Sequence, residues 1–414
     1  MIESNTDVVV IGGGIAGSAI SVVLAEAGLS ILMLEKSLEH KDVVRGEWMA
    51  PWGVTEAVAL GLHDRYMAHG AHRPSRHVGY NDLVTPAQAE ADSVDLTAIV
   101  DHPPLCLGHP STCNLLNDIA LDIGVTFLRG IGRLKVTPGS PPEVTFVHQA
   151  QEHTIQPRWV IGADGRNGVV AKQIGCITTH DPEDHLFSGM LVEGAHDWPE
   201  DLQVIGTEGD VNVLAFPQGG GKVRVYLGWP SEQRNRLVGP EGPQHFLDAW
   251  RLKCIPYSDA IADATPISPC IAYPNYDAWL DSPVREGVIL IGDAAGRNDP
   301  ITGQGLSISH RDVRLVRDAL LGEANWRVGM FDDYLTERQD RMSRLRTTAR
   351  LYTLRDSAFG EDGYQLRSEI HHRLISNNDL AAPFSAAFMG PDALPAEVFA
   401  PAFTTQIAGR PIWD

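Results

Sequence analysis

Asp7-Val8-Val9-Val10-Ile11-Gly12-Gly13-Gly14-Ile15-Ala16-Gly17 joins a short β-branched run to a glycine turn and to a stretch of small apolar residues that continues to residue 27. A second apolar run over residues 30–34 ends at Glu35. Strand, tight turn, helix and strand in this order predict a βαβ unit of the dinucleotide-binding kind. Gly12 permits the sharp turn, Gly14 lets a pyrophosphate approach the backbone, and Gly17 allows helix and strand to pack closely. The helix start at Ile15 and Ala16 offers free N–H groups to phosphate, and Glu35, followed by Lys36, is placed to accept ribose hydroxyls. By itself the unit does not separate FAD from NAD.

Two further glycine segments make that separation. The buried-strand run Val288-Ile289-Leu290-Ile291 delivers Gly292-Asp293-Ala294-Ala295-Gly296. An acid at the carboxyl end of a strand, beside a second glycine turn, suits the polyol of a flavin's ribityl chain. Asp299-Pro300-Ile301-Thr302-Gly303-Gln304-Gly305 then opens a helix whose apolar positions Leu306, Val313, Val316 and Leu320 recur at helical spacing. Glycines at a helix start bring backbone N–H groups within reach of a planar ring, and the dipole there favours the negative charge of a reduced flavin. The third segment, Trp159-Val160-Ile161-Gly162-Ala163-Asp164-Gly165, also follows an apolar run. Together the three predict bound FAD.

Outward from these motifs, 414 residues exceed one simple core and predict two joined domains. With 33 basic and 53 acidic residues the formal net charge is −20, which argues against nucleic acid and against stable association with anionic membranes. Five cysteines, Cys106, Cys113, Cys176, Cys254 and Cys270, lack metal-ligand spacing and read as reduced thiols; no metal site is expected. Residues 1–4 run straight into a strand with no secretory pattern, so a cytoplasmic protein is expected. Whether it acts as a homodimer is left open.

The three segments, in this order and at this separation, resemble the single-component flavoprotein aromatic monooxygenases related to para-hydroxybenzoate hydroxylase. The resemblance implies a mixed α/β fold in which a Rossmann-like FAD-binding domain is interleaved with an antiparallel-sheet substrate domain. It assigns residues 1–72, 103–178 and 280–365 to the first, 73–102 and 179–279 to the second, and 366–414 to a C-terminal wrapping segment. It implies that Gly12, Gly14, Gly17, Glu35 and Asp293 hold FAD, that Asp164 and Gly165 serve FAD and NAD(P)H, and that Arg45 lies along the flavin. Gly292, Gly303, Gln304, Gly305 and Leu306 complete the expected cofactor contacts. Pro300, Gly303 and Gly305, with Arg297 and Asn298, are the expected wall beside the reactive edge of the ring. The implied chemistry is reduction of FAD by NADH or NADPH, reaction with O2 to a flavin hydroperoxide, and oxygen delivery to a small aromatic substrate.

Local departures are specific. Gly296 stands where the family commonly has histidine, Gly168 and Ala171 where serine and arginine follow Asp-Gly, and His109-Pro110-Ser111 where an arginine opens a helix. The Gly296 form resembles geranylgeranyl reductases, which supply the alternative reading; a non-catalytic flavin-binding sensor is the other. Disulfide reductases would need a second nucleotide-binding unit and a cysteine pair, and flavin halogenases a Trp-x-Trp-x-Ile-Pro stretch, and neither is present. Residues 73–102 and 179–279 alternate as an antiparallel sheet does, with Val211, Val213 and Ala215 turning at Gln218-Gly219-Gly220-Gly221 into Val223, Val225 and Leu227. These apolar positions either pack a core, the favoured reading, or line a pocket. A charged helix is expected from residue 331 to about 355, with Tyr334, Arg338 and Arg341 on a solvated face. No catalytic base stands out: none of His40, His72, His77, His102 and His310 is singled out by spacing.

Overall fold

The computed structural model describes residues 6–44 and 46–413. A six-stranded sheet runs in the order Val284–Arg285, Val288–Leu290, Trp159–Gly162, Val8–Ile11, Ile31–Glu35, Thr126–Arg129. Every neighbour in it is parallel except the antiparallel edge strand Val284–Arg285. The inner strands are apolar and buried on both faces, as a covered parallel sheet requires. Register brings the distant motifs together: Ile11 lies opposite Gly162, and Gly162 opposite Leu290, so all three glycine segments leave the sheet at the carboxyl ends of adjacent strands. This is where parallel α/β sheets bind ligands. Helices Ile15–Glu26, His109–Asp122 and Gly305–Gly322 pack over it through one apolar cluster.

The second large sheet is mixed rather than antiparallel throughout. Strands His185–Glu193, Lys222–Pro230, Val211–Gly219 and Leu202–Glu208 pair antiparallel in sequence, but Leu202–Glu208 pairs Arg76–Asn81 in parallel. Residues 73–102, expected as strands, also hold two short helices, Pro86–Ala91 and Leu96–Ile99; a Thr85 and Gln88 capping box starts the first. The hairpin at 219–221 forms as expected.

The helix expected from residue 331 spans Asp332–Asp356, but its supposed solvated face is wrong: Tyr334, Arg338 and Arg341 are buried. Past it, residues 366–413 are largely helical. They form helices that share one apolar cluster with Trp48, Trp52, Phe187, Leu214 and Phe216, so the C-terminal part packs against the second sheet. All five cysteines are free thiols.

Candidate active site

A cleft of about 920 Å³ crosses the carboxyl ends of the parallel strands. Gly12, Gly14, Ile15, Ala16, Glu35, Lys36, Asp164, Gly165, Asp293, Gly305 and Leu306 border it. The three N-terminal glycines do different work. Gly12 has φ +108° and a Cβ there would meet the Ala163 carbonyl oxygen at 2.3 Å; a Cβ on Gly17 would come within 1.9 Å of the Gly12 carbonyl oxygen. Gly14 faces open cleft, with nothing within 4 Å of an added Cβ. The helix behind it begins with no side-chain cap and no acid in its first turn, so free N–H groups and the positive end of the dipole open into the cleft. The Glu35 carboxylate is fixed at the rim by accepting the Gly13 and Ser37 N–H groups, both at 2.8 Å. An open glycine, an uncapped helix start and an anchored rim acid fit the pyrophosphate and ribose of a dinucleotide.

Asp164 borders the cleft, yet its carboxylate turns onto the following chain and accepts the N–H groups of Val169 at 2.5 Å and Val170 at 3.0 Å. Burial pushes it above the usual carboxylate range, and its Oδ1 is buried without a protein partner. Gly168 follows from this arrangement, since a Cβ there would sit 2.2 Å from the carboxylate. Gly296 has a similar cause: φ is +113° and a Cβ would meet the Ala278 carbonyl oxygen at 2.8 Å, where the short strands Ala278–Leu280 and Gly296–Arg297 pair. His109 lines the cleft and its N–H donates to Glu47 at 2.7 Å. Arg45 lies outside the described residues.

A second cavity of about 420 Å³ adjoins the first. Trp48, Phe187, Leu214, Phe216, Tyr226, Tyr273 and Tyr276 form its walls, and Arg297, Asn298, Pro300, Gly303, Gln304 and Gly305 its floor. Arg166, Asn167, Asp293 and Gly305 border both cavities. The pocket face of the sheet is the set that alternation left aside: Val211, Val213 and Ala215 pack the core, whereas Leu214, Phe216 and Tyr226 face the cavity side. Among described residues no histidine lines this cavity; His77 is half-buried and His310 buried elsewhere, and His40 lines the larger cleft.

The floor turn is held rigidly. Asp299 accepts the Ile301 N–H at 2.9 Å, Asn298 donates to Asp277 at 2.7 Å, and Thr302 donates to Asn298 at 3.0 Å. Burial raises Asp277 to about 8, with neighbouring Asp299 adding to the shift, and burial raises Asp299 to about 7. Gly303 takes φ +68°, and a Cβ there would press on the Trp48 ring at 2.9 Å. Gln304 turns its side chain away, accepting from Trp52 Nε1 at 2.8 Å and donating to the Ala387 carbonyl at 3.1 Å, so only its backbone is offered to a ligand.

Three supporting groups carry little local signal. Glu47 and Asp42 enclose the buried Arg224, with Nε to Glu47 at 2.8 Å and NH2 to Asp42 at 2.5 Å, tying the loop before Trp48 to the second sheet. A lone charge in the apolar strand around Arg224 was the one available hint. Asp312 accepts the Gly292 N–H at 2.8 Å, Arg338 at 3.2 Å and Arg341 at 2.7 Å. Arg338 also donates to the Gly292 and Gly296 carbonyls, so the misread helix face grips the loop that carries Asp293. The aromatic walls are the third.

The sequence profile of the FAD binding domain family matches residues 5–349. A digeranylgeranylglycerophospholipid reductase of Methanococcoides burtonii is 26% identical, over 73% of this chain and 71% of its own length. A 6-methylpretetramide 4-monooxygenase of Streptomyces rimosus is 25% identical, over 75% of this chain and 74% of its own. The crystal structure of p-nitrophenol 4-monooxygenase PnpA from Pseudomonas putida superposes with a TM-score of 0.75 at 16% identity, covering 99% of this chain and 100% of that one, a likeness of fold.

Proposed function

This chain belongs to the FAD binding domain family, and from that premise we propose that it is an NAD(P)H-driven monooxygenase hydroxylating or epoxidising an aromatic or polycyclic small molecule. Bound FAD supplies hydride uptake from NADH or NADPH and activation of O2. The observation that carries the reading is the shared wall: Asp293 and Gly305 border both a dinucleotide-sized cleft and an aromatic-lined cavity. Gly14 and the helix start behind it take the pyrophosphate, Glu35 the ribose, and Asp293 the ribityl region. Pro300, Gly303 and Gly305 act by shape and by backbone N–H groups, with Arg297 beside them. Trp48, Phe187 and Phe216 keep the neighbouring space apolar, which excludes water from the reacting edge. The oxygen-transfer route expected from the sequence belongs to this proposal, as do the division into interleaved domains, cytoplasmic location and any homodimer. Likeness to two enzymes named monooxygenases supports oxygen insertion.

The test is anaerobic flavin reduction by NADH or NADPH with and without phenols, quinolones and aromatic polyketides, followed by aerobic turnover. A ligand that accelerates bleaching and returns one oxygen atom heavier supports the reading. Consumption of reductant without oxygen uptake, with saturation of a prenyl double bond, would replace it by the second reading, favoured by the reductase likeness and by Gly296.

A further inference from the structure

The Asp164 turn leaves residue 168 no choice but glycine, because a Cβ there would sit 2.2 Å from the Asp164 carboxylate. The residue before it is Asn167, so the turn creates the one Asn-Gly dipeptide in this chain. That pair carries a chemistry of its own. The Gly168 nitrogen, unshielded by any side chain, can attack the Asn167 carboxamide carbon and close a five-membered succinimide. In this step the N–Cγ bond forms, the Cγ–Nδ2 bond breaks, and ammonia leaves with the proton of the Gly168 N–H. Water then opens the imide at either carbonyl, giving aspartate or isoaspartate. No oxidant, reductant or second protein takes part.

Asn167 is exposed, and among described residues its carboxamide has no hydrogen-bond partner to hold it away from the backbone. Gly168 donates its N–H to the Gly165 carbonyl at 3.0 Å, and the Asp164 carboxylate takes the next two N–H groups, of Val169 and Val170. The turn bond has to open before the Gly168 nitrogen is free, so the rate follows local opening and stays below that of an unfolded Asn-Gly peptide. Asn167 also borders both the dinucleotide cleft and the aromatic cavity, so an occupant of the cleft covers the turn and restrains its opening. Neither product is silent. Aspartate adds a negative charge to a wall shared by both occupants, and isoaspartate also adds a main-chain atom just before Gly168, where the chain lies against Asp164. We propose that Asn167-Gly168 is a self-modifying site: without FAD it closes and reopens to isoaspartate and aspartate, bound FAD protects it, and the products, once formed, weaken the return of FAD. The proposal needs FAD in the cleft and is independent of whether the enzyme inserts oxygen or saturates a double bond.

The experiment incubates the FAD-loaded protein at mildly alkaline pH, diluted until part of its FAD dissociates, with and without free FAD in excess. Isoaspartate is counted by enzymatic methyl transfer and located by mass in the tryptic peptide 167–172, which Arg166 and Lys172 delimit. Digestion is kept brief and mildly acidic, and an unincubated sample sets the zero. The label is expected at residue 167, and free FAD at about a hundred times its Kd is expected to slow it by up to about a hundredfold, the factor by which it depopulates the empty cleft. Asn167→Gln, which would have to close a larger ring, is expected to lose the label. Asn167→Asp, the aspartate product made directly, is expected to bind FAD more weakly, with a deficit that shrinks as salt rises. Any one of three results overturns the proposal: no label at residue 167 under conditions that convert a free peptide spanning residues 162–173, equal labelling with and without free FAD, or unchanged FAD affinity in the labelled protein.

Discussion

Asp312 is the acid on which the flavin-side loop hangs, and Asp312→Asn isolates its charge with little change in shape. In the wild type it is fully buried, accepts the Gly292 N–H, and faces Arg338 and Arg341, which are 6% and 2% exposed. Those two cations hold Asp312 below the usual carboxylate range against the opposing effect of burial. Asparagine leaves the guanidiniums facing a neutral amide in a dry setting, and removing one partner of a buried pair costs about 3–5 kcal/mol. For a chain of this size that lowers Tm by roughly 3–6 °C. The Gly292 N–H also loses a charged acceptor, about 1.4 kcal/mol, which weakens FAD roughly tenfold through the loop carrying Asp293. Thermal melts and FAD titration of the apoprotein read both effects. Glu337→Gln, at a half-exposed partner of the same Arg341, is the control and is expected to move each by less than about 1 kcal/mol. Wild-type Tm and wild-type FAD affinity in Asp312→Asn would refute the idea that this buried cluster organises the cofactor loop.

Gly17→Ala is expected to abolish FAD retention, because its Cβ would come within 1.9 Å of the Gly12 carbonyl and force helix from strand; Gly14→Ala, facing open cleft, should keep the fold and lose only cofactor affinity. Equal melting temperatures for these two variants would contradict that contrast. Gly303→Ala, strained at φ +68° and pressed on Trp48, should retain FAD but uncouple reductant consumption from product, and full coupling would remove the turn from the mechanism. Asp277 and Asp299 release their protons at about 8 and about 7 in the folded protein, against 3.8 unfolded. Between these limits the folded state holds more protons than the unfolded one, so their contribution is fully present below about pH 4 and is lost as pH rises through about 8. Asp277→Asn should therefore gain on the wild type in Tm as pH goes from about 5.5 to about 8.5; parallel profiles would contradict the assignment.

The glycine segments were legible because their demands are local: a turn, a close approach, an open helix start. Their convergence was legible too, since parallel strands with short turns deliver such segments to one sheet end. What escaped depended on partners remote in sequence. Arg338 and Arg341 look solvated on their own helix and are buried only because Asp312 meets them from another one, 26 and 29 residues away. The face of Val211–Gly219 that meets the cavity was hidden because both faces are buried, and alternation cannot rank two covered faces. The parallel pairing of Arg76–Asn81 with Leu202–Glu208 joins segments more than a hundred residues apart and leaves no turn signature. Gly168 and Gly296 looked like departures from a pattern until their neighbours, the Asp164 carboxylate and the Ala278 carbonyl, were in view.

Val43, Gly46, Arg166, Asn167, Asp293 and Gly305 belong to the walls of both cavities. Each occupant is therefore part of the other's container: a flavin in the cleft closes one side of the aromatic chamber, and a ring in the chamber caps the flavin. Reciprocity then applies without any moving part. Whatever factor FAD adds to the affinity of an aromatic ligand, that ligand must add to the affinity for FAD. Apoprotein is in consequence a poor reporter of substrate preference, and slower release of FAD in the presence of a compound becomes a way to find ligands that needs neither turnover nor a known product.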